Sequence, residues 1–277
     1  MTTSTNNATN DVRLAVLIDA DNVPPHNVQA MMEEIARYGT PTIKRIYGDW
    51  TRPSLTQWKS HLLDYAISPI QQFSYTSGKN STDSALIIDA MDILYAGNVD
   101  GFCLVSSDSD FTRLATRLRE AGKIVYGMGE MKTPNPFIAA CDRFIYLEVL
   151  QRNLDEAIAA TGAKESEVKK TTARQDSSRS RFQRETKGKT AITKIDRKLI
   201  NLISSSIRDV EDDNGWAFLA EVGNMINKKQ PSFDSRNYGF DKLSSLVQSI
   251  DKFEVQMRDT GNPNVKLVYV KVKNGRR

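Results

Sequence analysis

The chain has 277 residues, 39% hydrophobic and 26% charged, with a formal net charge of +4. That length and apolar content exclude a peptide-like fold and a wholly disordered chain, and suit one large domain or two modest ones. The charge is unevenly placed. Residues 1–150 hold 13 Lys and Arg against 17 Asp and Glu, a balance of −4, and the remainder holds 25 against 17, a balance of +8. An acidic front and a basic rear suggest two modules with different tasks.

Residues 1–11 (MTTSTNNATND) are rich in Thr and Asn and are expected to form a disordered tail. They have neither the basic start nor the apolar stretch of a signal peptide. No run approaches the ~20 apolar residues of a membrane span, so no membrane partner is expected. Cys103 and Cys141 lie in apolar settings without a CxxC pattern, and His26 and His61 are far apart. A disulfide framework and a zinc site are therefore not expected, and a cytoplasmic location follows.

Residues 12–150 alternate short apolar runs with helical periodicity. LAVLI (14–18), GFCLVSS (101–107), KIVYGM (123–128) and RFIYLEV (143–149) read as strands buried on both faces. IKRIYGDW (43–50) and ISPIQQF (67–73) add two more. Pro24-Pro25 opens a helix through Val28, Met31, Met32 and Ile35, closed by Gly39. Phe111, Leu114, Ala115 and Leu118 mark another helix, closed by Gly122, that runs directly between two strands. Repeated βαβ units predict an α/β domain: a parallel sheet sandwiched by helices.

Residues 151–190 carry 10 basic and 6 acidic residues and few large apolar ones after Ile158, which suggests a short helix and then a basic, flexible linker. Residues 191–273 form a second pattern. One helical face runs through Ile195, Leu199, Leu202, Ile203 and Ile207. A second includes Trp216, Leu219, Ala220, Val222, Met225 and Ile226, and a third Phe240, Leu243, Leu246, Val247 and Ile250. FEVQM (253–257) and VKLVYVKV (265–272) alternate with period two around Gly261-Asn262-Pro263, as a hairpin does. Three helices and a hairpin make a small winged-helix-like α+β domain.

The chemistry is carried by acids at element junctions. LIDADN (17–22) puts Asp19 and Asp21 at the end of the first strand, and SSDSDF (106–111) puts Asp108 and Asp110 at the end of a later one. Asp83 opens an apolar helix, with Asp89 on the same helix as a secondary candidate and Asp92 as a structural residue. Ligands of parallel sheets bind at the carboxyl ends of the strands, so three segments would converge there. Crowded carboxylates must take up protons or share a cation, and an oxygen-only set favours Mg²⁺ or Mn²⁺. Asn22 and Ser106 offer neutral groups that can orient water or a carboxylate. Each Asp on its own could equally be a helix cap.

The series LIDADN, KNSTD and LVSSDSDF, followed by a Gly-terminated helix and KIVYG, resembles the NYN domain over about residues 12–150. The resemblance implies a PIN-like nuclease fold and a metal-dependent ribonuclease site at Asp19, Asn22, Asp83, Ser106, Asp108 and Asp110. Asp21 fills a position with a less fixed role and is a further metal-ligand candidate. Homodimerisation is an expectation, because PIN-like domains often pair. The D-x-D of LIDADN also suggests haloacid-dehalogenase phosphatases, but Val23 stands where that motif has Thr or Ser. Gly127-Met-Gly129 is only half of a dinucleotide-binding motif.

In the rear module, W-A-x-L, P-x-F-D, R-N-Y-G and the F-E-V strand resemble the OST-HTH (LOTUS) domain over about 191–273. That family binds RNA or, in some lineages, protein partners. Arg236, Asn237 and Tyr238 fall at the start of the third helix, the element that reads nucleic acid in helix-turn-helix folds. Lys228, Lys229, Lys242 and the terminal Lys271, Lys273, Arg276 and Arg277 are candidate phosphate contacts. Trp216, Phe218, Phe233 and Leu243 are expected in the core. Together these features predict a metal-dependent RNA endonuclease with an RNA-holding module. The alternative is a non-catalytic RNA-binding or adaptor protein whose acidic site is vestigial, and a phosphatase ranks third.

Overall fold

The structure is a computed structural model and describes residues 11–73, 81–155, 193–259 and 266–273. It divides into two compact units, residues 1–151 and 152–277. The tail expected at 1–11 and the linker expected at 151–190 fall almost entirely outside the described residues, as do Gly261-Asn262-Pro263, Arg276 and Arg277.

The first unit is built on six parallel strands: β1 (Arg13–Asp19), β2 (Thr40–Gly48), β3 (Ser68–Gln71), β4 (Gly101–Val105), β5 (Ile124–Gly129) and β6 (Arg143–Tyr146). Their order is β3-β2-β1-β4-β5-β6. β1 is buried from Leu14 to Asp19 and β4 along its whole length, which is why both read as unbroken apolar runs. Helices α1 (Val28–Ile35), α2 (Trp58–Asp64), α3 (Ser81–Ala96), α4 (Thr112–Glu120) and α5 (Asn135–Ala140) lie between the strands in the chain. A 3₁₀ turn, Pro25–Asn27, precedes α1, and another, Ser109–Phe111, precedes α4.

After β3 the chain continues through α3 to β4, which pairs with the opposite side of β1. Strand order therefore reverses between β1 and β4. At such a switch point neighbouring connections leave in opposite directions and open a crevice at the carboxyl ends. Leu17, Leu86, Ala90, Leu104, Phe111, Leu118, Phe137 and Phe144 pack into one core. Cys103 and Cys141 are free and buried, Cys141 within this core, and burial pushes the Cys141 thiol up to about 12.

Three readings of the first unit change. The strand expected over 143–149 ends at Tyr146, and 147–155 are helical. Helices α2 and α5 were not expected. Both are short, of 7 and 6 residues, too brief to give a clear helical period. Gly129 serves close packing: a Cβ there would stand 2.5 Å from the Ser106 carbonyl oxygen. The glycine lets β5 approach the loop after β4.

The second unit holds α6 (Arg197–Arg208), β7 (Ala217–Phe218), α7 (Leu219–Lys229), α8 (Leu243–Gln248), β8 (Phe253–Asp259) and β9 (Lys266–Val272). The strands form an antiparallel sheet of order β7-β9-β8. Asp196 caps α6 by accepting a hydrogen bond from the Leu199 N–H at 2.8 Å. Leu199, Ile203, Val222, Ile226, Phe233, Leu246, Phe253 and Val270 form its core. Trp216 precedes β7 instead of joining the second helix. The third helix starts at Leu243 rather than near Phe240, because Gly239 turns the chain with φ +85°. Among the described residues no helix is long and apolar enough to cross a membrane.

Candidate metal centre and nucleic-acid surface

Asp19, the last residue of β1, is fully buried, and both its oxygens are engaged. Oδ1 accepts from the Asp21 backbone N–H at 3.1 Å, and Oδ2 accepts from Asn22 Nδ2 at 2.6 Å and Ser106 Oγ at 2.9 Å. Ser106 sits just past β4, the strand that pairs with β1, so the parallel register brings serine and carboxylate together. Burial raises the Asp19 pKa, against the opposing effect of the Asn22 and Ser106 hydrogen bonds. Ser106 Oγ also accepts the Asp108 N–H at 3.1 Å, and Asp108 Oδ1 accepts the Asp110 N–H at 2.9 Å. The capping role open to any one Asp is thus filled by Asp108.

Asp83 lies in the first turn of α3, and Thr82 Oγ1 donates to Asp21 Oδ2 at 3.4 Å, tying that turn to the loop after β1. One carboxylate oxygen from each of Asp83, Asp108 and Asp110 lies within 4.8 Å of the others. Oxygens sharing one octahedral Mg²⁺ at ~2.1 Å stand about 3–4 Å apart, so this set fits a hard divalent ion after small side-chain rotations. The Asp83 pKa is raised to about 6, first by burial and then by the negative charge of Asp19, Asp108, Asp110 and Asp21. Asp19 and Asp21 are outside the group of three. Asp19 connects to it through Ser106, whose Oγ accepts the Asp108 N–H, and Asp21 stands 3.6 Å from Arg52 Nη1.

Asp89 departs from its secondary candidacy. It pairs with Arg45 on β2 and accepts the Tyr47 hydroxyl, so it pins α3 to the sheet. Asp92 is exposed, as a structural residue on the outer helix face can be. An acid not singled out in the sequence also belongs to this edge. Asp49, 7% exposed, follows β2 and accepts from Thr51 Oγ1 at 2.6 Å and Gln71 Nε2 at 3.0 Å. Arg52 Nε stands 3.8 Å from it. The strand-end rule that picked out Asp19 applies equally to Gly48-Asp49 and was the available signal. A larger groove of about 770 Å³ between α4 and α5 lies at the opposite, amino edge of the sheet, where Arg119 and Asp142 form an ion pair.

In the second unit the three residues expected to read nucleic acid lie on a separate 3₁₀ turn, Ser235–Tyr238, before α8. Arg236 is 11% exposed at its side chain and doubly bonded to Asp234, at 3.0 and 2.7 Å. Asn237 is 5% exposed and donates to the Ser232 carbonyl, and Tyr238 packs on Phe233. Lys229 pairs with Asp209, whereas Lys228 and Lys242 are exposed. The outer face of the sheet carries a cluster not grouped in the sequence. The Arg258 guanidinium lies 4.0 Å from the Tyr269 ring centre and 5.4 Å from that of Trp216. Lys271 Nζ lies 5.9 Å from Trp216, and Phe218 meets Tyr269 at 5.7 Å. Among the described residues neither Arg258 nor Lys271 has an acidic partner. The period-two alternation of β8 and β9, which puts Arg258, Tyr269 and Lys271 on one face, was the signal that could have found it.

Family models match residues 13–148 as an NYN domain and residues 190–265 as an OST-HTH/LOTUS domain. No curated protein matches the chain significantly. The crystal structure of a protein of unknown function from Vibrio parahaemolyticus RIMD 2210633 is 20% identical, over 48% of this chain and 91% of that one, with TM-score 0.42. The solution structure of an uncharacterized protein from Nitrosomonas europaea is 33% identical over 38% of this chain and 96% of that one, with TM-score 0.27. A solution structure of a protein fragment (175–257) from Chromobacterium violaceum is 32% identical over 30% and 88%, with TM-score 0.25. The chain thus carries an NYN domain, a member of the PIN-like nuclease superfamily, over residues 13–148 and an OST-HTH/LOTUS domain over residues 190–265.

Proposed function

We propose that the chain is a divalent-metal-dependent ribonuclease that cuts RNA at the β1/β4 crevice and holds it through the OST-HTH module. The observation that carries this reading is the approach of Asp83, Asp108 and Asp110 within 4.8 Å, with the buried Asp19 close enough for its charge to act on Asp83. Those three acids, with Asp19 and Asp21 beside them, would hold Mg²⁺ or Mn²⁺. Such an ion neutralises charge on a phosphodiester and makes water a better nucleophile near neutral pH.

The chain's own groups set the geometry. Asp19 fixes Asn22 and Ser106, and Ser106 fixes the loop that presents Asp108 and Asp110. Asp83 arrives on a separate helix, so the cluster assembles only in the folded domain. The bare acids would repel an RNA phosphate, which makes the ion a requirement of the reading. For RNA holding, Arg258 and Lys271 supply charge and the neighbouring rings supply stacking surface, with Lys228 and Lys242 as further phosphate contacts. Arg236 and Asn237 then support the module's fold.

The test is cleavage of single-stranded and structured RNA by the full chain with Mg²⁺ or Mn²⁺, with and without EDTA, beside Asp19→Asn and Asp108→Asn. Ion-dependent cutting that both substitutions abolish is expected. A chain that binds RNA tightly and salt-sensitively yet never cuts, with any ion, favours the adaptor reading instead. Asp108 capping the Asp110 N–H is the observation on that side, since it gives the acid a structural use.

A further inference from the structure

The carboxyl edge of the sheet continues past the acidic cluster. Asp19 pairs with Tyr47 across β1 and β2, and the next residue, Gly48, pairs with Gln71 on β3. The edge beyond β3 is therefore level with Asp19 and two strand spacings away, about 10 Å. There Trp50 is fixed at two points. Its backbone N–H donates to Gln71 Oε1 at 3.0 Å, and its indole N–H donates to the Ile70 carbonyl at 3.0 Å.

With both N–H groups committed, the indole lines a groove of about 500 Å³, with Leu55, Leu62 and Pro69 as apolar walls. Lys59 stands in the same lining, exposed and in no ion pair among the described residues. The volume lies in the range of small-molecule sites, and a rigid ring beside a cation suits a planar base carrying a phosphate. The groove is also wired to the acidic site. Gln71 Nε2 donates to Asp49, Arg52 stands 3.8 Å from Asp49, and the same Arg52 reaches to 3.6 Å from Asp21.

We propose that this groove is a nucleobase subsite for the RNA strand: an unpaired base near the cut stacks on Trp50 while Lys59 meets an adjoining phosphate. The proposal deepens the nuclease reading and rests on it for the identity of the ligand. It makes the preferred substrate single-stranded, because a base inside a duplex already has both faces stacked. Stacking accepts any base, so the groove sets the position of the strand and not its sequence.

The experiment uses the full chain and a labelled single-stranded RNA. In steady-state cleavage with Mn²⁺, Trp50→Ala is expected to raise KM about 5- to 100-fold, the usual worth of one base–aromatic stack, with little change in kcat. Trp50→Phe, which keeps a ring, restores most of the loss. Lys59→Ala, a surface change without folding consequences, raises KM a few-fold and flattens the salt dependence of binding. A second readout needs no turnover: 4-thiouridine RNA is photo-crosslinked to the metal-free chain and the adducts are mapped, with residues 50–59 as the expected site. Adducts there without cutting under any ion leave the subsite standing and sink the nuclease reading. Normal cutting with KM unchanged in Trp50→Ala and Lys59→Ala, and adducts elsewhere, overturns the subsite, whatever else occupies the groove.

Discussion

Replacing Asp83 with asparagine separates a metal site from a merely acidic surface. The folded pKa of Asp83, about 6, lies above the ~3.9 of an unfolded Asp, so the folded state holds this proton more tightly. Stability contributed by the protonated group is therefore present below about pH 4, is lost as pH rises toward 6, and leaves a cost above that. A carboxyl moved that far corresponds to roughly 3 kcal/mol, but Asp83 is only half-buried, and solvent screening reduces the cost to about 1 kcal/mol. The Asp83→Asn side chain carries no charge, so the EDTA-treated variant should melt higher than the parent at pH 7.5, by about 2–4 °C for a domain of this size, and no higher at pH 4. Adding millimolar Mn²⁺ should reverse the order. The parent gains stability in proportion to the logarithm of ion concentration over Kd, and the variant, short of one ligand, gains much less. Scanning calorimetry from pH 4 to 8, with EDTA or Mn²⁺, measures both effects. An Asp83→Asn chain that melts lower than the parent at pH 7.5 without metal, or that responds equally to Mn²⁺, refutes the reasoning.

Asp89→Asn should cut RNA as the parent does yet lose about 1–3 kcal/mol of stability, since Arg45 and the buried Tyr47 hydroxyl lose a charged partner. Asp108→Asn should show the reverse pattern, with cleavage down on the order of 10²–10³-fold and near-parental melting; paired activity and thermal-melt measurements distinguish them. Arg258→Ala with Lys271→Ala should weaken RNA binding and reduce the slope of log Kd against log salt by about 2, read by fluorescence anisotropy across a salt series. Arg236→Ala should instead destabilise the OST-HTH domain by about 2–4 kcal/mol, because it leaves the nearly buried Asp234 without its guanidinium, with the salt slope unchanged.

What could be read from the chain was what local geometry determines. Strands with both faces covered must be apolar at every position, so LAVLI and GFCLV announced β1 and β4, and the residues just after them had to lie at the sheet's carboxyl edge. Asp19, Asp21, Asp108 and Asp110 were located by that rule. The second module's α6 and its hairpin were equally plain from their periods of 3.6 and 2.

What the tertiary structure decided were pairings between residues far apart in the chain. The order β2-β1-β4, which puts Asp19 2.9 Å from Ser106 across 87 residues, follows from strand crossovers that no local pattern records. Asp83 and Asp89 share one helix, and the sequence ranks Asp89 second without saying what it binds; Arg45 and Tyr47 on β2 claim Asp89, while the crowded β1/β4 crevice receives Asp83. Arg236 falls at an expected helix start in the sequence, and only the fold shows its guanidinium paired with the nearly buried Asp234. A side chain's identity states which chemistry it can perform. Its neighbours, brought in by the fold, determine whether that chemistry is already used in holding the molecule together.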